Sequence, residues 1–155
     1  MELRLREARE TDLPALLAME QGLVRDERPY DPTIRPDPVY YHDLPALLAD
    51  KNSRVVVAEA HDTVVACGFV TRRIPRHYLD HDAYAYLGLM YTHPDFRGRG
   101  VNGLIVADLK AWAVSRGLYE MRLTVYYENE PALRAYEKAG FRRHLVEMRL
   151  REGGQ

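Results

Sequence analysis

Tyr91-Thr92-His93-Pro94-Asp95-Phe96-Arg97-Gly98-Arg99-Gly100-Val101-Asn102 is the stretch on which the fold turns. A strand runs into Thr92, Pro94 ends it, and the chain bends through Gly98 and Gly100 into a helix. The first turn of a helix carries N–H groups with no intrahelical acceptor and a partial positive charge. Glycine lets the backbone approach a ligand closely, and Arg97 and Arg99 add full charges. Such a turn suits a pyrophosphate or another anion, or else it only changes the direction of the chain. It is not a P-loop, because no lysine followed by serine or threonine comes after the glycines. Nor is it a dinucleotide fingerprint, because the G-x-G-x-x-G spacing is missing and the strand before it is not the first.

Working outward, Tyr84 to Tyr91 is the strand that feeds the turn. The helix after it covers 103–116, with Val101, Leu104, Ile105, Leu109 and Trp112 on one face and Gly117 as its C-cap. Upstream, Val55-Val56-Val57-Ala58 and Val64 to Arg72 form a hairpin across His61-Asp62-Thr63. Downstream, Glu120 to Val125 alternates as a strand. Asn129 caps a helix with Pro131 in its first turn, Gly140 ends that helix, and Arg142 to Leu150 reads as a final strand. Glu152 to Gln155 is expected to fray.

At the other end, Leu3 and Leu5 alternate with Arg4 and Arg6 as a first strand. Thr11 caps a helix, with Pro14 in its first turn and Leu13, Leu16, Leu17 and Met19 or Glu20 on its stripe, reaching about Arg25. Pro29, Pro32, Pro36 and Pro38 then forbid regular structure over 27–41, which reads as an ordered, stiff loop, and a short helix follows over 41–50. The order is strand, helix, helix, three strands, helix, strand, helix, strand: an α/β (α+β) sandwich with a mixed central sheet flanked by helices.

Size and composition agree with a single domain spanning 1–155. The chain has 155 residues, 46% hydrophobic and 29% charged, enough for one buried core and a solvated surface. A net charge of −1 argues against gripping nucleic acid or an anionic membrane by bulk charge. The single cysteine, Cys67, rules out an internal disulfide and fits a reducing cytoplasm. No signal-peptide pattern or membrane-length apolar run is present, so a cytoplasmic protein without a membrane partner is expected. The six histidines lack H-x₃-H or H-E-x-x-H spacing, so no metal is expected. No G-x-S-x-G elbow supports a hydrolase.

Two segments together make the chain resemble the GNAT superfamily of acyl-CoA-dependent N-acyltransferases. The family signature [Q/R]-x-x-G-x-[G/A] reads here Arg97-Gly98-Arg99-Gly100-Val101-Asn102. A second family segment, Asn-x-x-Ala-x-x-x-Tyr-x-x-x-Gly-Phe, reads Asn129 to Phe141, with Ala132, Tyr136 and Gly140 in place. The resemblance is strongest over 84–150. One position departs from it: Asn102 stands where Gly or Ala is usual, with Gly103 next, and its side chain would either crowd a diphosphate or donate a hydrogen bond to it.

The resemblance implies acetyl-CoA as cosubstrate and direct transfer of its acetyl group to the primary amine of a small molecule. It places the cofactor where the strands 84–92 and 120–126 splay apart. Backbone groups of Met90, Tyr91 and Thr92 would pair with the pantetheine arm, and Arg97, Gly98, Arg99, Gly100, Val101 and Asn102 would hold the pyrophosphate. Tyr136 would be the general acid on the departing thiolate, and Asn129, besides capping its helix, would touch the cofactor. Read without the family pattern, Tyr136 is a core aromatic on its helix stripe. The acceptor would lie between the loop after the first helix and the strand edges, with Glu27, Tyr30, Tyr84, Tyr86 and Tyr126 as its contacts.

A protonated amine also needs a base. The family often places a Glu on the fourth strand, yet Tyr86-Leu87-Gly88-Leu89 has none. Glu27, Asp31, His42, Asp82 and Glu128 are alternatives, none assigned. His93 would help bind phosphate or cap its loop. Protein lysine or N-terminal acetylation, or a non-catalytic acyl-CoA-binding module, are the other readings. The sequence leaves the oligomeric state open, a homodimer included.

Overall fold

The computed structural model describes residues 2–153, so the fraying expected at Gly154 and Gln155 lies outside the described residues. The chain divides into two compact units, Met1–Thr124 and Val125–Gln155.

The first unit is built on a five-stranded sheet of order β1-β2-β3-β4-β5. The strands are β1 (Arg4–Glu7), β2 (Ser53–Ala60), β3 (Thr63–Arg73), β4 (Tyr84–Thr92) and β5 (Met121–Arg122). Neighbours run antiparallel except β4 and β5, which are parallel, so the sheet is mixed as the sequence order implied. The β2–β3 hairpin closes through His61 and Asp62 at φ 51 and 63°, the left-handed pair that a two-residue turn matching strand twist requires.

Helices α1 (Leu13–Glu27) and α2 (Leu44–Ala49) cover one face of the sheet. Leu16 and Met19 of α1 and Leu44 of α2 bury against Val55, Val57, Cys67, Phe69, Leu89 and Tyr91. Helix α3 (Val101–Ser115) packs on the opposite face, where Ile105 and Leu109 reach the backbone at Gly68. Val101, Ile105 and Leu109 are buried as the periodicity indicates, but Leu104 is 49% exposed and Val106 and Ala113 take its place. The inward stripe is therefore rotated by part of a turn from the expected one.

Thr11 does not cap α1. A short 3₁₀ turn, Glu10–Asp12, precedes the helix. There Asp12 accepts from the Arg9 N–H at 2.7 Å and holds the Arg6 guanidinium at 2.8 and 2.9 Å, an ion pair buried enough to fix how the chain leaves β1. The proline-rich segment is an ordered loop, as expected. Its Val39 carbonyl accepts from Gln21 of α1 at 2.7 Å, and Arg28 reaches the Ile34 carbonyl at 3.3 Å and Asp37 at 2.6 Å.

In the second unit, α4 (Glu130–Lys138) begins where Asn129 caps it, its Oδ1 accepting from the Ala132 N–H at 3.3 Å. Two strand expectations need correcting. Of 120–125 only Met121–Arg122 is paired strand, and 142–150 forms no strand among the described residues. Alternation alone does not make a strand; a ladder of hydrogen bonds to a neighbour does.

Candidate active site

The site starts with an irregularity in β4. Cys67 of β3 faces Tyr91 and Phe69 faces Gly88, so Gly68 is opposed by both Leu89 and Met90. One extra residue on β4 makes this a β-bulge. Leu89 takes it up at φ 51°, an uncommon conformation for a leucine, and its carbonyl accepts from the Cys67 thiol at 3.4 Å. The bulge turns both Gly88 and Leu89 toward the α1–α2 face. A Cβ at Gly88 would lie 2.5 Å from the Phe69 ring, so glycine is needed there for the ring to lie against the strand.

On its other edge, β4 pairs with β5 only at Ala85↔Met121 and Tyr86↔Arg122. From Leu87 to Thr92 that edge has no strand partner among the described residues. Two parallel strands thus part beside the bulge; Tyr91 stays paired with Cys67 of β3, while the backbone of Met90 and Thr92 alternates to the open side, where the Thr92 carbonyl accepts from Arg97. The Met90 side chain lies on the α3 face, near Gly68, while Tyr91 is buried toward α1.

The turn after β4 is shaped by its own sequence. His93 caps it, Nδ1 accepting from the Asp95 N–H at 3.1 Å, which settles the loop-capping role for this residue. The Arg97 N–H goes back to Pro94 at 3.3 Å. Gly98 and Gly100 sit at φ 77 and 78°, with nothing within 4 Å of where a Cβ would stand. Their requirement is conformational: side-chain residues pay to sit in the left-handed region. Helix α3 starts at Val101, so the N–H groups of Val101, Asn102 and Gly103 have no acceptor within the helix. The Asn102 side chain is half-buried at that mouth.

Arg97 differs from the sequence expectation. Its guanidinium is engaged within the protein, donating to the Thr92 carbonyl at 2.7 Å and to Asp26 at the end of α1 at 2.8 Å. It also lies 5.2 Å from the centre of the Tyr91 ring. The side chain braces the turn against α1. Arg99 stacks toward Phe96 at 5.5 Å.

Beside α2 lies a cavity of about 400 Å³ whose lining includes Tyr41, His42, Asp43, Phe69, Thr71 and Arg73. Of the expected acceptor contacts, none lines it directly. Tyr86 packs against the same core, donates or accepts at Thr124 Oγ1 (3.1 Å), and carries the Arg73 guanidinium over its ring at 3.8 Å. Tyr84 lies under Arg122 at 4.0 Å. Glu27 is half-buried at the end of α1, where burial raises its carboxyl above the ordinary range and the neighbouring Tyr41 hydroxyl pulls it partly back. Tyr30 ends a 3₁₀ turn in the proline-rich loop.

Tyr136, Asn129 and Tyr126 belong to the second unit. The Tyr136 ring meets Phe141 edge-on at 5.9 Å, and its carbonyl accepts from the Phe141 N–H at 3.0 Å, so the helix end and the Gly140-Phe141 turn hold it in place.

Two buried groups, Glu20 and Cys67, were given no part in the site by the sequence. Glu20 is fully buried on α1, one oxygen accepting from the His42 N–H at 3.1 Å and the other without a hydrogen-bond partner among the described residues. Burial raises its carboxyl above the usual value, and the His42 N–H pulls it partly back. Cys67 is buried too, its thiol pushed up to about 12. A thiol held neutral in this way is no nucleophile near pH 7. Among the described residues no cluster of three His, Cys, Asp or Glu could hold a metal, and no helix is long and apolar enough to cross a membrane.

A five-stranded mixed sheet, a bulged strand that parts from its parallel neighbour, and a glycine turn opening a helix define a class of fold. The sequence profile of the Acetyltransferase (GNAT) family matches residues 18–141, and the chain belongs to that family. An acetyltransferase of Pectobacterium atrosepticum is 38% identical over 53 residues, 34% of this chain and 36% of that protein. The alignment thus spans about a third of the length of that relative. Among solved structures, a predicted acetyltransferase of Clostridium acetobutylicum, crystallised with acetyl-CoA, is similar with a TM-score of 0.75 at 21% identity, covering 97% of this chain and 96% of that one. A mutant form of a Bacillus halodurans protein reaches a TM-score of 0.85 at 17% identity, over 96% and 98% of the two chains.

Proposed function

We propose that this chain, as one N-acetyltransferase domain over 1–155, transfers the acetyl group of acetyl-CoA directly to the primary amine of a small molecule. The observation that carries the proposal is the open edge of β4 running from the bulge at Leu89 into the glycine turn at 97–102. A pantetheine arm laid along Met90, Tyr91 and Thr92 would add as a strand to that edge. Its diphosphate would then meet the N–H groups of Gly98 to Asn102 at the positive end of α3. The bulge turns a backbone N–H out of the β3 ladder, and such a donor stabilises the oxyanion as the thioester is attacked.

The burial of the only cysteine supports direct attack in a ternary complex. With Cys67 buried and neutral, an acetyl-cysteine intermediate has no nucleophile to form on. Tyr136 is the acid that protonates or hydrogen-bonds the departing thiolate, with Asn129 holding the start of its helix. The thiolate of a group with pKa near 8.5 leaves readily, so the acid has modest work to do.

Release of free thiol from acetyl-CoA in the presence of amines tests this reading. Tyr136→Phe should lower kcat by about 10²-fold and leave acetyl-CoA affinity unchanged. Equal losses of affinity and kcat would assign Tyr136 to packing instead.

A further inference from the structure

We infer that His42 takes the proton from the acceptor amine, and that the cavity beside α2 is where that amine is held. The inference rests on the acetyl-transfer reading above.

Geometry comes first. The His42 ring meets the Phe69 ring edge-on, centroids 4.8 Å apart and planes 83° apart. Phe69 in turn lies on Gly88, the residue before the bulge at Leu89. One aromatic ring therefore separates His42 from the stretch of β4 where the thioester would be polarised. The cavity, about 400 Å³, is large enough for a small amine and has Phe69 as a wall.

The imidazole is also positioned. Its backbone N–H is tied to Glu20, which is fully buried on α1, so the loop cannot shift at His42 without breaking a part-buried hydrogen bond to a carboxyl. Among the described residues neither ring nitrogen is used in a hydrogen bond.

The charges around it favour a neutral ring. Arg73 of β3, held over Tyr86 of β4, faces His42, and burial together with this cation pushes the imidazole below its ordinary value. The remaining neighbours that titrate are Glu20 on α1, Tyr41 beside the ring, and Asp43 and Asp50 at the two ends of α2. Asp43 accepts from the Ala46 N–H at 3.1 Å, and Asp50 binds the Ser53 hydroxyl at 2.6 Å and the Asn52 N–H at 2.9 Å. The Ser53 hydroxyl holds the Asp50 carboxyl below its ordinary value, and a carboxylate at the cavity rim draws a cationic amine.

The other candidate bases of the first unit are placed elsewhere, and Glu128 belongs to the second unit. Asp31 is engaged with Thr33, Asp82 lines a different cavity, and Glu27 does not line this one.

The proton count closes. The ammonium gives one proton, relayed by one water past the edge of the Phe69 ring, to a ring nitrogen of His42, and the neutral nitrogen attacks the thioester carbon. The C–N bond forms, the C–S bond breaks, and its electron pair goes to sulfur. The second proton leaves nitrogen as sulfur becomes S–H, and His42 returns its proton to solvent.

Three measurements test the inference. Calorimetry with acetyl-CoA on the intact protein comes first: absence of binding overturns the acetyl-transfer reading itself. Next, thiol release is followed from pH 5.5 to 9.5 with glucosamine 6-phosphate, L-lysine, L-methionine, spermidine and kanamycin offered as acceptors. His42→Gln and His42→Asn should lower kcat/KM by about 10²-fold at pH 7 with acetyl-CoA affinity unchanged. With L-lysine and spermidine, whose amines have pKa near 10.4, the loss should shrink about tenfold per pH unit as bulk solution supplies the free amine. Wild-type turnover with unchanged profiles in both variants would overturn the role of His42 and leave the acetyl-transfer reading standing. Last, NMR of the wild-type imidazoles should find His42 titrating below an ordinary histidine. A ring still protonated at pH 7 would overturn the inference without any variant.

Discussion

The turn after β4 and the cavity beside α2 are built in opposite ways. The turn is contiguous in sequence, exposed, and made of backbone: two glycines at positive φ and the unpaired N–H groups of a helix start. The cavity is assembled from side chains that lie far apart in the chain, His42 from a loop and Phe69, Thr71 and Arg73 from β3, and it depends on buried supports such as Glu20. Recognition by backbone constrains every residue of a short segment, so it leaves a motif. Recognition by converging side chains constrains each position singly and leaves none.

The largest effect expected from this contrast is on the turn. Gly100→Val asks a β-branched residue to hold φ 78°. Acetyl-CoA binding measured by calorimetry should weaken on the order of 10²-fold, while circular dichroism stays close to wild type and the backbone strain lowers the melting temperature by only about 2–8 °C. Unchanged affinity would remove the backbone from the account.

A smaller effect is expected at the wall shared by the bulge and the cavity. Gly88→Ala places a methyl 2.5 Å from the Phe69 ring. The ring must move, at a cost of about 1–3 kcal/mol in unfolding free energy by denaturant titration. Loss of activity should accompany loss of stability here, whereas at Gly100 the two should separate.

The smallest effect concerns the support. Glu20 has a raised carboxyl in the folded chain, so the folded state keeps a proton that the unfolded state gives up. Stability therefore falls as pH rises from the ordinary carboxylate range, near 4.3, through the raised value. Glu20→Gln keeps an acceptor for the His42 N–H without the charge. Its melting temperature should exceed that of wild type at pH 7, the gap closing as pH falls. Parallel melting curves across pH would show that the buried carboxyl carries no such cost.

How far the sequence could be read follows the same division. Arg97 to Asn102 and Asn129 to Phe141 disclosed the turn, the capped α4 and the order of elements, because caps, glycines and prolines act locally. The bulge could not be read: Leu89 at positive φ is forced by its partners on β3, and nothing in Gly88-Leu89-Met90 announces it. Leu104 illustrates the limit of periodicity, which finds an apolar stripe but not its rotation to within one residue. The final strand over 142–150 was inferred from alternation, and pairing decides that question. Arg97 was read as a free positive charge because ion partners distant in sequence, here Asp26, are invisible until the chain folds.

The central claim is that the N–H groups opening α3 hold the diphosphate of coenzyme A. Calorimetry of the wild-type protein with coenzyme A and with pantetheine, which has the same arm and thiol but no diphosphate, tests it most directly. Charge-assisted hydrogen bonds contribute about 1.5–3 kcal/mol each, so coenzyme A should bind on the order of 10²-fold more tightly. Equal affinity for the two, or no binding of either, would contradict it.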